Sequence, residues 1–164
     1  MGRWPGEFWR FFGGNPLFMS GYEVGLGTRE PVMDVAKVLS RYVDCIVARL
    51  NSHKTLQELG SYASIPVINA LSDWEHPCQT IADLLTIVET KGPLEDIVVT
   101  YIGDGNNVAR SLALGVILLG GQFRIASPPN YGLDDNTLSI TNQKISGGAS
   151  PIKSFVDPYE ATYQ

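Results

Sequence analysis

Cysteine is scarce in this chain: its 164 residues carry two, Cys45 and Cys78, far apart and without framework spacing. That argues against a disulfide scaffold and suits a reducing, intracellular compartment. Basic charge is short as well. Twelve Lys and Arg stand against 17 Asp and Glu, giving a net charge of −5. With no basic run or stripe, phosphate-backbone binding to nucleic acid has little to rest on. A few arginines in a cleft can still hold a small anion, whatever the net charge. No stretch approaches the roughly 20 apolar residues of a membrane helix. The segment Met1 to Arg10 has aromatics but no continuous apolar core and no Ser- and Arg-rich amphipathic pattern, so it reads as neither signal nor transit peptide. Internal repeats and low-complexity tracts are absent too. What is present is 44% hydrophobic and 18% charged residues, the balance of a globular chain with a sizeable core.

Short β-rich runs alternate with helical periods. Pro16–Ser20 reads as a short strand, and Pro31–Tyr42 as a helix with Val32, Val35, Val38 and Leu39 at helical spacing and Pro31 at its first position. Val43–Arg49 reads as a buried strand, His53–Ser61 as a helix and Ile65–Asn69 as a strand. From Pro77 to Thr90 runs a helix with Ile81, Leu84, Leu85 and Val88 as its expected buried stripe, stopped by Lys91-Gly92-Pro93, the best candidate domain boundary. Beyond it, Ile97–Ile102, Val108–Leu119 and Phe123–Ala126 form a βαβ unit, for which a parallel sheet and a right-handed crossover are expected. From Pro128 onward the chain is rich in Asn, Ser, Gly and Pro, with weak periodicity over Asp134–Lys144 and no strong element at its end. The fold class is α/β, with two parallel-sheet lobes, each only partly present, joined by the helix that follows His76-Pro77-Cys78-Gln79.

The residues that carry chemistry gather at the start of that helix. Pro77 at the first helical position makes His76 the N-cap and puts Gln79 in the first turn, where unpaired backbone N–H groups and the positive helix end face outward. Such a place attracts anions, and Asp83 lies on the same face. A different reading makes Ser72-Asp73-Trp74-Glu75 a capping box for a helix that starts earlier, with His76 inside its first turn. Arg49 ends an apolar strand, where α/β folds commonly present functional side chains; it also reads as an arginine leaving the strand for solvent. Gly103-Asp104-Gly105-Asn106-Asn107 is a strand-to-helix turn but not a dinucleotide fingerprint, because the Gly-x-Gly-x-x-Gly pattern is incomplete at Ala109-Arg110. No NAD site is expected. Cys78 reads as a small packing residue, since sequence neighbours on a helix point in different directions. His53, expected at the surface, receives no role.

The run Asn69-Ala70-Leu71-Ser72-Asp73-Trp74-Glu75-His76-Pro77-Cys78-Gln79-Thr80-Ile81-Ala82-Asp83 resembles the His-Pro-x-Gln region of the aspartate/ornithine carbamoyltransferase family, particularly its ornithine branch. Gly25-Leu26-Gly27-Thr28-Arg29-Glu30-Pro31, Val38–Asp44 and Tyr101–Asn107 resemble flanking segments of that family in the same order, and the similarity runs from about Gly13 to Ala161. The resemblance implies transfer of a carbamoyl group from carbamoyl phosphate to the δ-amine of ornithine, giving citrulline and phosphate, a step of arginine biosynthesis or the urea cycle. It implies that Arg49, His76 and Gln79 contact carbamoyl phosphate, with Arg49 and His76 catalytic, and that Asn107 binds the amino-acid end of ornithine while Asn106 serves the turn. It implies no metal or cofactor and a homotrimer of a cytoplasmic protein, or a mitochondrial or plastid one. Residues 1–91 then form a partial carbamoyl phosphate-binding domain, and residues 92–164 a partial, Rossmann-like ornithine-binding domain.

The family's Ser-Thr-Arg-Thr-Arg phosphate segment has no counterpart before Gly13-Gly14, where Arg3–Phe12 stands instead. Asp157–Ala161 resembles the point just before the family's Asp-x-x-x-Ser-Met-Gly segment, which is absent here, as is the later His-Cys-Leu-Pro motif. Each charge-assisted hydrogen bond to phosphate is worth roughly 1.5–3 kcal/mol, so little or no turnover is expected of this polypeptide alone. Two other readings stand beside the first. One is an aspartate or other amino-acid carbamoyltransferase, against which the Asn106-Asn107 pair speaks. The other is a non-catalytic carbamoyltransferase-like protein that binds a partner.

Overall fold

The computed structural model describes residues 13–143 and 152–163. The Arg3–Phe12 segment and the Lys144 end of the weakly periodic stretch lie outside the described residues. Packing divides the chain into two compact units, Met1–Ile46 with Gln57–Pro66, and Val47–Leu56 with Val67–Gln164.

Among the described residues, two helices lie wholly within the first unit. Helix α1 (Gly21–Val24) is set by a capping box: the Ser20 hydroxyl accepts the Glu23 N–H, and the Glu23 carboxylate accepts the Ser20 N–H. This local bonding is the reason Pro16–Ser20 is not the strand expected from its composition. The chain there runs extended without a ladder, leaving Leu17, Phe18 and Met19 exposed. Helix α2 (Val32–Leu39) buries Val32, Val35 and Ala36, with Pro31 as its N-cap rather than its first residue.

Strand β1 (Ile46–Arg49) and helix α3 (His53–Tyr62) cross from one unit to the other in sequence and are followed by strand β2 (Val67–Leu71). β1 and β2 pair, and the bonds Ile46 N–H to Pro66 O and Leu50 N–H to Leu71 O advance together along both strands, so the pair is parallel.

The second unit continues with helix α4 (Pro77–Lys91), a 3₁₀ turn at Leu94–Asp96, strand β3 (Val98–Ile102), helix α5 (Asn107–Leu118), strand β4 (Gln122–Ala126), helix α6 (Asp135–Gln143), strand β5 (Ile152–Phe155) and helix α7 (Pro158–Thr162). β3, β4 and β5 form a parallel sheet in that order, in register from Val98 opposite Gln122 and from Phe123 opposite Ile152. The expected parallel βαβ unit is thus present. β5 and α7 were not legible as strong elements. Yet α7 carries a plain start signal, Asp157 accepting the Tyr159 N–H with Pro158 in the first turn.

Leu112, Ala113, Val116 and Ile117 of α5 form the core with Phe123 and Ile125 of β4 and Leu84 of α4. Here the expected buried stripe of α4 needs correcting. Leu84 is buried as expected, but Ile81, Leu85 and Val88 are 67%, 56% and 41% exposed, and Thr80 is buried instead. The cause lies in α5: a Cβ on Gly115 would fall 2.6 Å from Thr80 Cγ2 and 2.8 Å from Leu84 Cδ1, so only glycine admits the close approach that turns this side of α4 inward. A periodic apolar pattern tells that a helix has a buried face. When the adjacent face is apolar too, it does not say which one wins.

Candidate functional site

β2 ends at Leu71, and the next five residues form the turn that carries His76. Ser72 is fully buried and organises it. Its hydroxyl accepts the N–H groups of Trp74 (3.3 Å) and Glu75 (3.0 Å), and its own N–H donates to the Glu75 carbonyl at 2.8 Å. Ser72 therefore caps a turn and not a helix. The helix begins at Pro77, with His76 as N-cap and no cap bond from the imidazole, which decides between the two sequence readings.

His53, given no role above and expected at the surface, is half-buried at the start of α3. Its Nδ1 lies 2.8 Å from the Ser72 hydroxyl, and its N–H donates to Asp73 Oδ1 at 2.8 Å. Cys78 is exposed rather than packed inside, and its thiol donates to the Asn69 carbonyl at 3.4 Å.

The turn is gripped from the other side by α5. Asn106 caps that helix, accepting the N–H groups of Val108 and Ala109. One face of the helix then meets the turn three times. Asn107 Nδ2 donates to Ser72 O at 2.7 Å, Arg110 donates to Trp74 O at 2.8 Å, and the Ser111 hydroxyl accepts the His76 N–H at 2.8 Å. These residues are spaced i, i+3, i+4, as one helical face requires. The guanidinium of Arg110 also lies 3.7 Å over the Trp74 ring and forms an ion pair with Asp134 at 2.8 Å. Burial pushes the Asp134 carboxyl up. Hydrogen bonds from the Thr137 hydroxyl, Arg110 and the Thr137 N–H, with the Arg110 charge, outweigh it and bring the pKa down to about 2.

The other two predicted site residues are held loosely. Gln79 is exposed in the first turn of α4, its amide donating to Asp83 Oδ1 at 2.8 Å. Arg49 is exposed at the end of β1 and has no side-chain partner among the described residues. The Leu50 N–H to Leu71 O bond at 3.0 Å sets the end of β1 beside the end of β2, so Arg49 stands near the start of the turn. Thus His76 and Asn107 are joined through Ser72 and Ser111, while Arg49 and Gln79 flank them without direct bonds to either.

Unpartnered buried polar atoms mark the same stretch: His76 Nδ1, both ends of the Asn69 amide, and Thr80 Oγ1. Such atoms are costly to leave unsatisfied. Asn69 was missed at the sequence level. Its signal was a polar side chain near the end of an otherwise apolar strand. The arrangement as a whole offers an amide, an imidazole, an exposed guanidinium and the N-terminus of a 15-residue helix, which together can hold an anion and polarise a carbonyl.

Two family models cover nearly the whole chain. "Aspartate/ornithine carbamoyltransferase, carbamoyl-P binding domain" matches residues 9–89, and "Aspartate/ornithine carbamoyltransferase, Asp/Orn binding domain" matches residues 95–164. The chain belongs to the aspartate/ornithine carbamoyltransferase family. Among curated members of this family, the ornithine carbamoyltransferase of Carboxydothermus hydrogenoformans is 45% identical over 91% of this chain and 48% of its own length. That of Bacillus subtilis is 47% identical over 91% of this chain and 47% of its own. A solved structure, the ornithine carbamoyltransferase from Pyrococcus furiosus, superposes with a TM-score of 0.86 at 42% identity, covering 93% of this chain and 49% of that one. The chain therefore spans about half the length of the carbamoyltransferases it matches. No helix among the described residues is long and apolar enough to cross a membrane.

Proposed function

We propose that this chain carries part of the active site of an ornithine carbamoyltransferase, which moves the carbamoyl group of carbamoyl phosphate onto the δ-amine of ornithine. The neutral amine attacks the carbonyl carbon, a C–N bond forms, the C–O bond to phosphate breaks, and the amine loses a proton. Citrulline and phosphate result. Negative charge builds on the carbonyl oxygen and on the departing phosphate, so placed N–H donors are what the step needs. In this reading His76, Gln79 and Arg49 supply them, and Asn107 takes the amino-acid end of ornithine. The observation that carries the reading is the bond from Asn107 to the turn of His76: a residue assigned to the acceptor and one assigned to the carbamoyl donor share one rigid support.

The two models meet between residues 89 and 95, which supports a carbamoyl phosphate side over residues 1–91 and an ornithine side over 92–164. A homotrimer, a role in arginine biosynthesis and a cytoplasmic or organellar location go with the same reading. A Pyrococcus furiosus relative is named an anabolic ornithine carbamoyltransferase, which fits a biosynthetic direction.

Calorimetric titration of the chain with carbamoyl phosphate tests the proposal. Binding that weakens in His76→Ala and Arg49→Met supports it. An unmodified chain that ignores carbamoyl phosphate favours the non-catalytic reading. Binding of aspartate to the chain saturated with carbamoyl phosphate, with none of ornithine, favours the aspartate branch.

A further inference from the structure

Three backbone groups of the Ser72–His76 turn, the carbonyls of Ser72 and Trp74 and the N–H of His76, find their hydrogen-bond partners among the described residues only on α5. Of the three α5 side chains involved, Arg110 is the most firmly held. Its Nε donates to Asp134 Oδ2 (3.0 Å) and Thr137 Oγ1 (2.9 Å), and a second nitrogen donates to the same Asp134 oxygen at 2.8 Å. The remaining nitrogen reaches Trp74 O, while the guanidinium plane covers the Trp74 ring. The side chain is 12% exposed, so these bonds meet little competition from water. All three guanidinium nitrogens are thus engaged within the protein, through three of the five N–H donors.

We propose that Arg110 is a positioning residue for His76, clamping Trp74 by its carbonyl and its ring so that the turn presents His76 in one orientation before any ligand arrives. Its consequence for carbamoyl phosphate rests on the function proposed above; its effect on His76 does not. The clamp needs a planar fork, because one group must reach Asp134, Thr137 and the Trp74 carbonyl at once. A lysine keeps the charge but offers a single point of attachment.

The chain has two histidines, so its imidazole NMR signals are few and assignable with His53→Gln. In Arg110→Met and Arg110→Lys we expect the His76 imidazole and backbone amide signals to move while circular dichroism stays as in the unmodified chain. Thr137→Val, which removes only the hydroxyl shared by Arg110 and Asp134, should move the same signals less and serves if the Arg110 variants do not fold. His76 signals that stay in place in a folded variant overturn the proposal. Carbamoyl phosphate affinity is the second readout. Arg110→Met should weaken it about tenfold, and the Arg110→Met/His76→Ala double variant no more than His76→Ala alone, because Arg110 acts through His76. Losses that multiply overturn the positioning role. If His76→Ala leaves affinity unchanged, the function proposed above fails, and the His76 signals alone decide the role of Arg110.

Discussion

His76 and Asn107 stand on a support tied to α5 by hydrogen bonds, whereas, among the described residues, Arg49 is exposed without a side-chain partner and Gln79 reaches only its own helix. The first pair belongs to a turn and a helix that hold each other; the second belongs to an element end and a first helical turn. Groups that must sit at a fixed distance from one another gain from rigidity, since a loose support spends binding energy on ordering. Groups that close over a charged ligand can wait in water, since a long cationic side chain remains well solvated until the ligand replaces that water. Changes in the held region should therefore disturb stability and ligand binding together, and changes in the loose region binding alone.

Ser72→Ala attacks the held region where it is most buried. It strips the acceptor from the Trp74 and Glu75 N–H groups and the partner from His53, and we expect a loss of about 1–3 kcal/mol in urea unfolding together with weaker carbamoyl phosphate binding. Arg49→Met is the opposite case. Its unfolding midpoint should stay within about 0.5 kcal/mol of the unmodified chain, while carbamoyl phosphate affinity falls roughly tenfold to a hundredfold, the worth of one charge-assisted bond. A marked loss of stability in this variant would erase the contrast. Gln79→Ala should cost only a few-fold in affinity and leave stability alone, as fits a neutral donor at an exposed site.

The gentlest probe is acid. The Asp134 carboxyl is held down, with its folded pKa at about 2 against an ordinary 3.8, so its contribution to stability is full above about pH 4 and fades as pH falls towards 2. Thermal melts across that window should show a shallower acid loss in Asp134→Asn, damped because the carboxylate is about a third exposed.

The parts of this molecule that sequence revealed are those written in short range. Pro77 and the Lys91-Gly92 stop bounded α4, and the run after Gly92-Pro93 announced the strand, helix and strand of the sheet. The choice of buried face on α4 was hidden, because it turns on Gly115 of another helix. Asn107 emerged only from motifs in a recognisable order, whereas His76 was also marked by Pro77, which makes it the N-cap of α4. Arg110 and Ser111 escaped notice because their partners lie 36 and 35 residues away. A clue did exist. Asn107, Arg110 and Ser111 are the polar residues of an otherwise apolar helix, and they fall on a single face. A polar face on a helix with a buried core side points to something polar that it must meet.

That same separation orders events in time. The turn bearing His76 cannot complete its hydrogen bonds until α5 has been made and has docked, so closing a loop of some 35 residues must come before the site exists. During synthesis the stretch from β1 to α4 leaves the ribosome with its chemistry still unformed. Maturation of the site is then a late step, and protection of the His76 amide against hydrogen exchange should appear only with that of the β3–β4 sheet.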